Sequence, residues 1–125
     1  MSEKDLKTRT KSFTLSILDI VEEITPTISS KVIIYQISKS GTSVGANYRA
    51  SCRARSDKEF LSKMNIVLEE TDETLFWLEI IKERNLIKND KIKKAILEAN
   101  ELVSIFVTII KNTRKRIENE SQKKV

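Results

Sequence analysis

The stretch SDKEFLSKMNIVLEETDETLFWLEII, residues 56–81, decides the fold class. Phe60, Met64, Val67, Thr71, Thr74, Leu78 and Ile81 alternate steps of four and three, the spacing that lines up one face of an α-helix. Leu61, Leu68 and Leu75 run beside that stripe at sevenfold spacing and widen it. Ser56 and Glu59 have the Ser-x-x-Glu form of a capping box, and Asp57 places a negative charge where the helix dipole favours it. Asn85 to Asn89 then form a short turn.

The same rhythm extends in both directions. Leu6, Thr10, Phe13, Ile17, Ile20 and Ile24 predict a first helix over Lys4–Ile24. It stops at Thr25, because Pro26 disfavours helix in the residue before it, and Pro26 suits the opening of the next element. Ile33, Ile37, Val44 and Tyr48 predict a second helix over Ser29–Arg53. Ile92, Ile96, Ala99, Val103, Phe106, Ile110, Thr113 and Ile117, broadened by Leu102 and Ile109, predict a fourth over Asp90–Glu118. Four helices joined by short loops give an all-α, antiparallel up-down-up-down four-helix bundle over residues 1–119. Residues 120–125 read as a polar, disordered tail.

Gly41 and Gly45 interrupt the second helix on one side. Each costs about 1 kcal/mol against alanine in a helix interior, and the compensation expected is close approach of another helix. The third helix is apolar on more than one side, through Ile66, Phe76, Trp77 and Ile80, and the fourth adds Ile105. A bundle helix needs about three apolar positions in seven, so the excess predicts a second interface and a homo-oligomer.

Composition narrows the function. The chain of 125 residues has two glycines and one proline, 33% charged residues and a formal net charge of +5. There is no histidine, which excludes His-based acid–base chemistry, His-activated nucleophiles and His metal ligands. The single cysteine, Cys52, excludes an internal disulfide and a thiolate zinc site. Arg49, Arg53 and Arg55 near it favour a thiolate, but an inert cysteine at a helix end is the simpler reading. Glu70 and Glu73 stand at i, i+3, yet the Glu-x-x-His pairs of dimetal bundles are missing. They read as a solvated acidic face or as partners of arginine. The string GTSVG lacks the Lys-Ser/Thr ending of a P-loop. No cofactor, metal, small-molecule substrate or catalytic residue is expected. MSEKDLKTRT lacks the apolar core of a signal peptide and no run approaches a membrane span, which predicts a cytoplasmic protein with no membrane partner.

Two basic clusters remain. Arg49, Arg53 and Arg55 close the second helix, and Lys111, Arg114, Lys115, Arg116, Lys123 and Lys124 crowd the end of the fourth. Part of this complements helix dipoles; the rest is suited to phosphate backbones of RNA or DNA. The aromatic residues fall mostly at core positions, so base stacking is not expected.

Over Ile37–Ile81 the sequence resembles the four-helix bundle family encoded in intervening sequences of bacterial 23S ribosomal RNA genes, and its stand-alone relatives. The matching features are Gly41-Thr-Ser-Val-Gly-Ala-Asn47, Tyr48-Arg49-Ala50 and Arg53-Ala-Arg-Ser56. Glu59-Phe60, Lys63, Glu70, Glu73 and Trp77-Leu78 continue them. The resemblance implies a homopentameric ring without catalytic activity; a similar bundle serves as a nucleic-acid-binding accessory protein in diversity-generating retroelements. It also suggests a hairpin around Arg55 with Gly41 and Gly45 opposite Asn65 to Glu69. Asn47 and Arg49 would face the third helix or a neighbouring subunit, with Glu70 and Glu73 as partners. Gly41, Gly45, Asn47, Arg49, Glu70, Glu73 and Trp77 are thus the expected assembly residues. The leading function is a non-enzymatic oligomeric scaffold that binds nucleic acid; the alternative is a protein-binding adaptor with no nucleic-acid role.

Overall fold

The computed structural model describes residues 1–123. Four helices follow in order: α1 (Glu3–Glu22), α2 (Ile28–Ser51), α3 (Asp57–Glu83) and α4 (Lys91–Lys123). Each packs against its sequence neighbour, and α4 returns beside α1 to close the bundle. The first helical stripe is buried along its whole length, from Leu6 to Ile24. On α3, Met64 to Ile81 are buried and Phe60 is half-buried. On α4 the deepest positions include Ala95 and Leu102, while Ile96 and Val103 are half-buried. The stripe of α4 is thus rotated slightly from its expected centre.

Local chemistry sets the ends. Ser2 with Asp5, and Thr27 with Ser30, make reciprocal capping boxes at α1 and α2, using Asp and Ser where the usual pattern has Glu or Gln. At α3, Ser56 Oγ accepts from the Glu59 N–H at 3.1 Å, but Glu59 turns to Arg55 at 3.7 Å and the box is only half made. Pro26 lies one residue before the Thr27 cap. At the end of α3, Asn85 adopts φ 52° and the Leu86 N–H reaches the Ile81 carbonyl, a Schellman ending that Asn tolerates. The expected disordered tail is corrected in part. α4 continues through Lys123, since nothing after Glu118 is Gly or Pro and Arg116 and Glu120 stand at i, i+4. Residues 124 and 125, with the rest of that tail, lie outside the described residues.

The glycine pair has a different partner from the one expected. Both residues face α1, not Asn65–Glu69 of α3. A Cβ on Gly41 would sit 2.7 Å from Ile17 Cγ2, and one on Gly45 would sit 2.9 Å from Thr14 Oγ1 and 3.2 Å from the Thr10 carbonyl oxygen. Thr14 uses the space: its hydroxyl donates to the Gly41 carbonyl at 2.8 Å and accepts from the Gly45 N–H at 3.3 Å. The α2–α3 seam is instead zipped by a buried pair, Thr74 Oγ1 donating to Ser40 Oγ at 2.9 Å. Buried Thr10, Thr71 and Thr113 satisfy their hydroxyls on the carbonyl four residues back.

The α1–α2 approach predicts a specific cost. Gly41→Ala gains about 1 kcal/mol of helix propensity but pushes Ile17 off its rotamer, at about 1–3 kcal/mol. Urea denaturation followed by circular dichroism should show a net loss of stability for Gly41→Ala, while Ala46→Gly, on an exposed position of the same helix, gives up only helix propensity.

Candidate nucleic-acid interface

Antiparallel packing brings the start of α1, the end of α2, the start of α3 and the far part of α4 to one end of the bundle. Residues 1–12, 43–70 and 101–123, which build that end, hold fourteen Lys and Arg against nine Asp and Glu; residues 13–42 and 71–100 hold eight against nine. The net positive charge therefore sits at one end. This joins two basic clusters that are far apart in sequence.

Several of the acidic residues there are engaged. Asp57 accepts a two-pronged hydrogen bond from Arg116, at 2.9 and 3.0 Å, which holds its carboxyl below the usual range. Glu59 is near Arg55, Glu3 is 3.6 Å from Lys7, and Asp5 is held by the Ser2 cap. Arg116 thus ties α4 to α3 through a half-exposed ion pair and is less free than its basic neighbours. Arg55 is 91% exposed with only that distant partner. Among the described residues, Arg49, Arg53, Lys111, Arg114 and Lys115 have no carboxylate within 4.0 Å. Lys124 lies outside the described residues.

The free cations fall on two seams. Arg49 and Arg53 join Lys7 and Lys11 around a shallow groove of about 460 Å³ between α1 and α2, floored by Thr14, Thr42, Gly45 and Ala46. No acidic side chain lines it. Lys7 and Lys11 were missed from sequence, although Lys4, Lys7 and Lys11 form a visible i, i+3, i+7 stripe. Lys111, Arg114 and Lys115 line a second depression between α3 and α4, with Asn65, Leu68 and Glu118. The exposed aromatics, Tyr35 and Phe76, lie away from this end, so the interface offers charge and hydrogen-bond donors rather than stacking platforms.

The expected assembly residues are scattered. Asn47 turns its amide back to the Ser43 carbonyl at 2.9 Å. Arg49 points into the α1–α2 groove, on the side of α2 away from its own Glu70 and Glu73. Trp77 is half-buried, edge-on to Phe76 with ring centroids 5.0 Å apart, and its buried Nε1 meets no acceptor among the described residues. Burial and then Glu73 push the Glu70 carboxyl above its usual range. Burial likewise raises the Cys52 thiol above its usual range, which disfavours the reactive thiolate. No group of three His, Cys, Asp or Glu among the described residues is placed to hold a metal.

Residues 4–108 match the model of the family described as 23S rRNA-intervening sequence protein. The chain belongs to this family. A solved structure agrees: a Bacteroides thetaiotaomicron VPI-5482 protein of the S23 ribosomal protein family, described as having unknown function, superposes with a TM-score of 0.76 at 30% identity. The match covers 84% of this chain and 97% of that one. No curated protein matches the sequence. The intervening-sequence match takes in α1 and the first half of α4, well beyond the α2–α3 stretch that carried the resemblance. No helix among the described residues is long and apolar enough to cross a membrane.

Glu70 gives a pH test. Its folded-state pKa lies above the unfolded value, so the ionised form is disfavoured by folding, and stability falls as pH rises from the unfolded pKa through the folded one. Glu70→Gln should therefore raise the melting temperature at pH 7, and the difference from wild type should vanish below about pH 4.

Proposed function

We propose that this family member is a non-enzymatic, self-assembling helical scaffold that binds the phosphate backbone of RNA or DNA through its cationic end. The observation that carries the reading is the concentration of unpaired cations there. Arg53 and Lys7 stand in one groove at that end, beside Arg49 and Lys11, and Lys111, Arg114 and Lys115 line another, while Asp57, Glu59, Glu3 and Asp5 are engaged by Arg116, Arg55, Lys7 and a helix cap. Unpaired Lys and Arg gain most from phosphates, because neutralising each phosphate releases condensed counterions. With no stacking aromatic at that end, recognition is of backbone and shape, independent of sequence. A homopentamer is the assembly that the family resemblance implies, and the excess apolar surface supports self-association. The lone, protonated thiol suits the reducing cytoplasm.

Fluorescence anisotropy with single- and double-stranded RNA and DNA over a salt series tests this reading. Affinity should fall steeply with salt, and Arg53→Ala, Arg114→Ala and Lys115→Ala together should weaken every ligand. The triple variant should also flatten the duplex log–log slope by about 0.9 for each phosphate that it no longer neutralises. Absence of retention on either nucleic acid at low salt would overturn it and favour the protein-binding adaptor.

A further inference from the structure

We infer that a second copy of this chain docks the outer edge of its α3 onto the outer α1–α2 face, with the two bundles side by side and pointing the same way. The inference rests on the self-assembly reading and adds the surfaces and their register. Two sets of residues carry it. The outer edge of α3 presents Glu69 and Glu73, then Phe76 and Ile80, one to two turns further along. The outer α1–α2 face presents Arg49 and Lys11, then Leu18 and Tyr35. Leu18, Tyr35 and Phe76 are 38%, 63% and 51% exposed.

These surfaces cannot satisfy each other within one chain. Arg49 and Lys11 line the groove on the α1 side of α2, whereas Thr74 and Ser40 define the α3 side. Glu69 and Glu73, like Arg49 and Lys11, have no opposite charge within 4.0 Å among the described residues.

Their heights along the bundle agree. Thr14 lies beside Gly41 and Gly45, and Thr74 lies beside Ser40. Counting along antiparallel helices from these fixed points sets Glu69 level with Gly45 and Lys11. Phe76 comes level with Leu18, and Ile80 within a turn of Tyr35. Arg49 stands one turn below Glu69, within reach of its long side chain. Acid therefore meets cation, and aromatic meets aliphatic, with no axial shift between copies. An antiparallel neighbour would set Glu69 and Glu73 against Leu18 and Tyr35, leaving carboxylates against apolar surface.

The contact is heterologous, since different faces of each copy meet, and zero axial shift closes it into a ring instead of a helical stack. Adjacent faces of a four-helix bundle meet at roughly a right angle, so the ring closes after a small number of copies. In such a ring α2 faces the axis, covering Ile28 and Val32, which are exposed in the single chain. Arg49 and Lys11 are then spent on the neighbour's carboxylates, while Arg53, Lys111, Arg114 and Lys115 of every copy share one rim, so phosphate contacts add by avidity along one backbone.

Light scattering and sedimentation velocity on the full chain, without nucleic acid, test the assignment. Lys11→Glu with Arg49→Glu, and separately Glu69→Lys with Glu73→Lys, should each reduce the assembled mass while circular dichroism stays helical. All four substitutions in one chain should restore the wild-type mass. An assembled wild type with both double variants unchanged in mass would overturn the face assignment alone, as would a folded quadruple variant that stays small. A wild type that is monomeric throughout would overturn the self-assembly reading beneath it.

Discussion

The close approach of α1 and α2 is the constraint on which the rest of the bundle depends. Thr14 holds both helices through one hydroxyl, donating to the Gly41 carbonyl and accepting from the Gly45 N–H. That contact exists only because neither glycine has a Cβ. Bringing two backbones this near fixes their axial offset, since a one-residue slip would drive Ile17 into a side chain instead of a glycine. With that offset set, α3 is registered on α2 through Ser40 and Thr74, and α4 on α3 through Asp57 and Arg116.

The fourth seam differs in kind. α1 and α4 pack less closely than the other neighbours, and open depressions run along their seam. Charge does more of the joining there: Arg9 meets Glu98 at 2.7 Å and Glu101 at 3.0 Å, and Glu23 meets Lys91 and Asn89. The hydrogen bonds from Arg9 are charge-assisted and two-pronged, which adds geometric specificity. Three seams thus rest on apolar packing, small polar contacts and a terminal ion pair, and one leans on exposed or half-exposed ion pairs. The cations used there already have carboxylate partners, and the same holds for Arg116. Polar side chains that look alike in sequence are thereby divided into those that join helices and those left free at the cationic end.

Much of the fold was legible because its signal is local. The four-three rhythm of Leu6 to Ile24 and of Met64 to Ile81 identifies the faces that are buried. The cost of two glycines in a helix likewise implies a compensating contact. The partner of that contact was not legible, because facing α1 or α3 is a difference of about 100° around α2, one residue's rotation on a helix, and both flanks carry small residues. The extent of α4 was also misjudged: polarity marks solvent exposure, and a polar segment without Gly or Pro remains helical. The capping boxes at Ser2 and Thr27 went unread because their third positions are Asp and Ser.

The sequence by itself determined an all-α bundle, the absence of histidine chemistry, the family and the individual cations that a phosphate ligand would need. Each depends on residue type or on spacing within one helix. Only the tertiary structure decided which cations stand together and which are spent. Antiparallel packing brought Arg49 and Arg53 beside Lys7 and Lys11, collected Lys111, Arg114 and Lys115 at the same end, and bound Arg116 to Asp57. Those groupings depend on the relative offset of helices far apart in the chain. That offset is set by the space missing at two glycines.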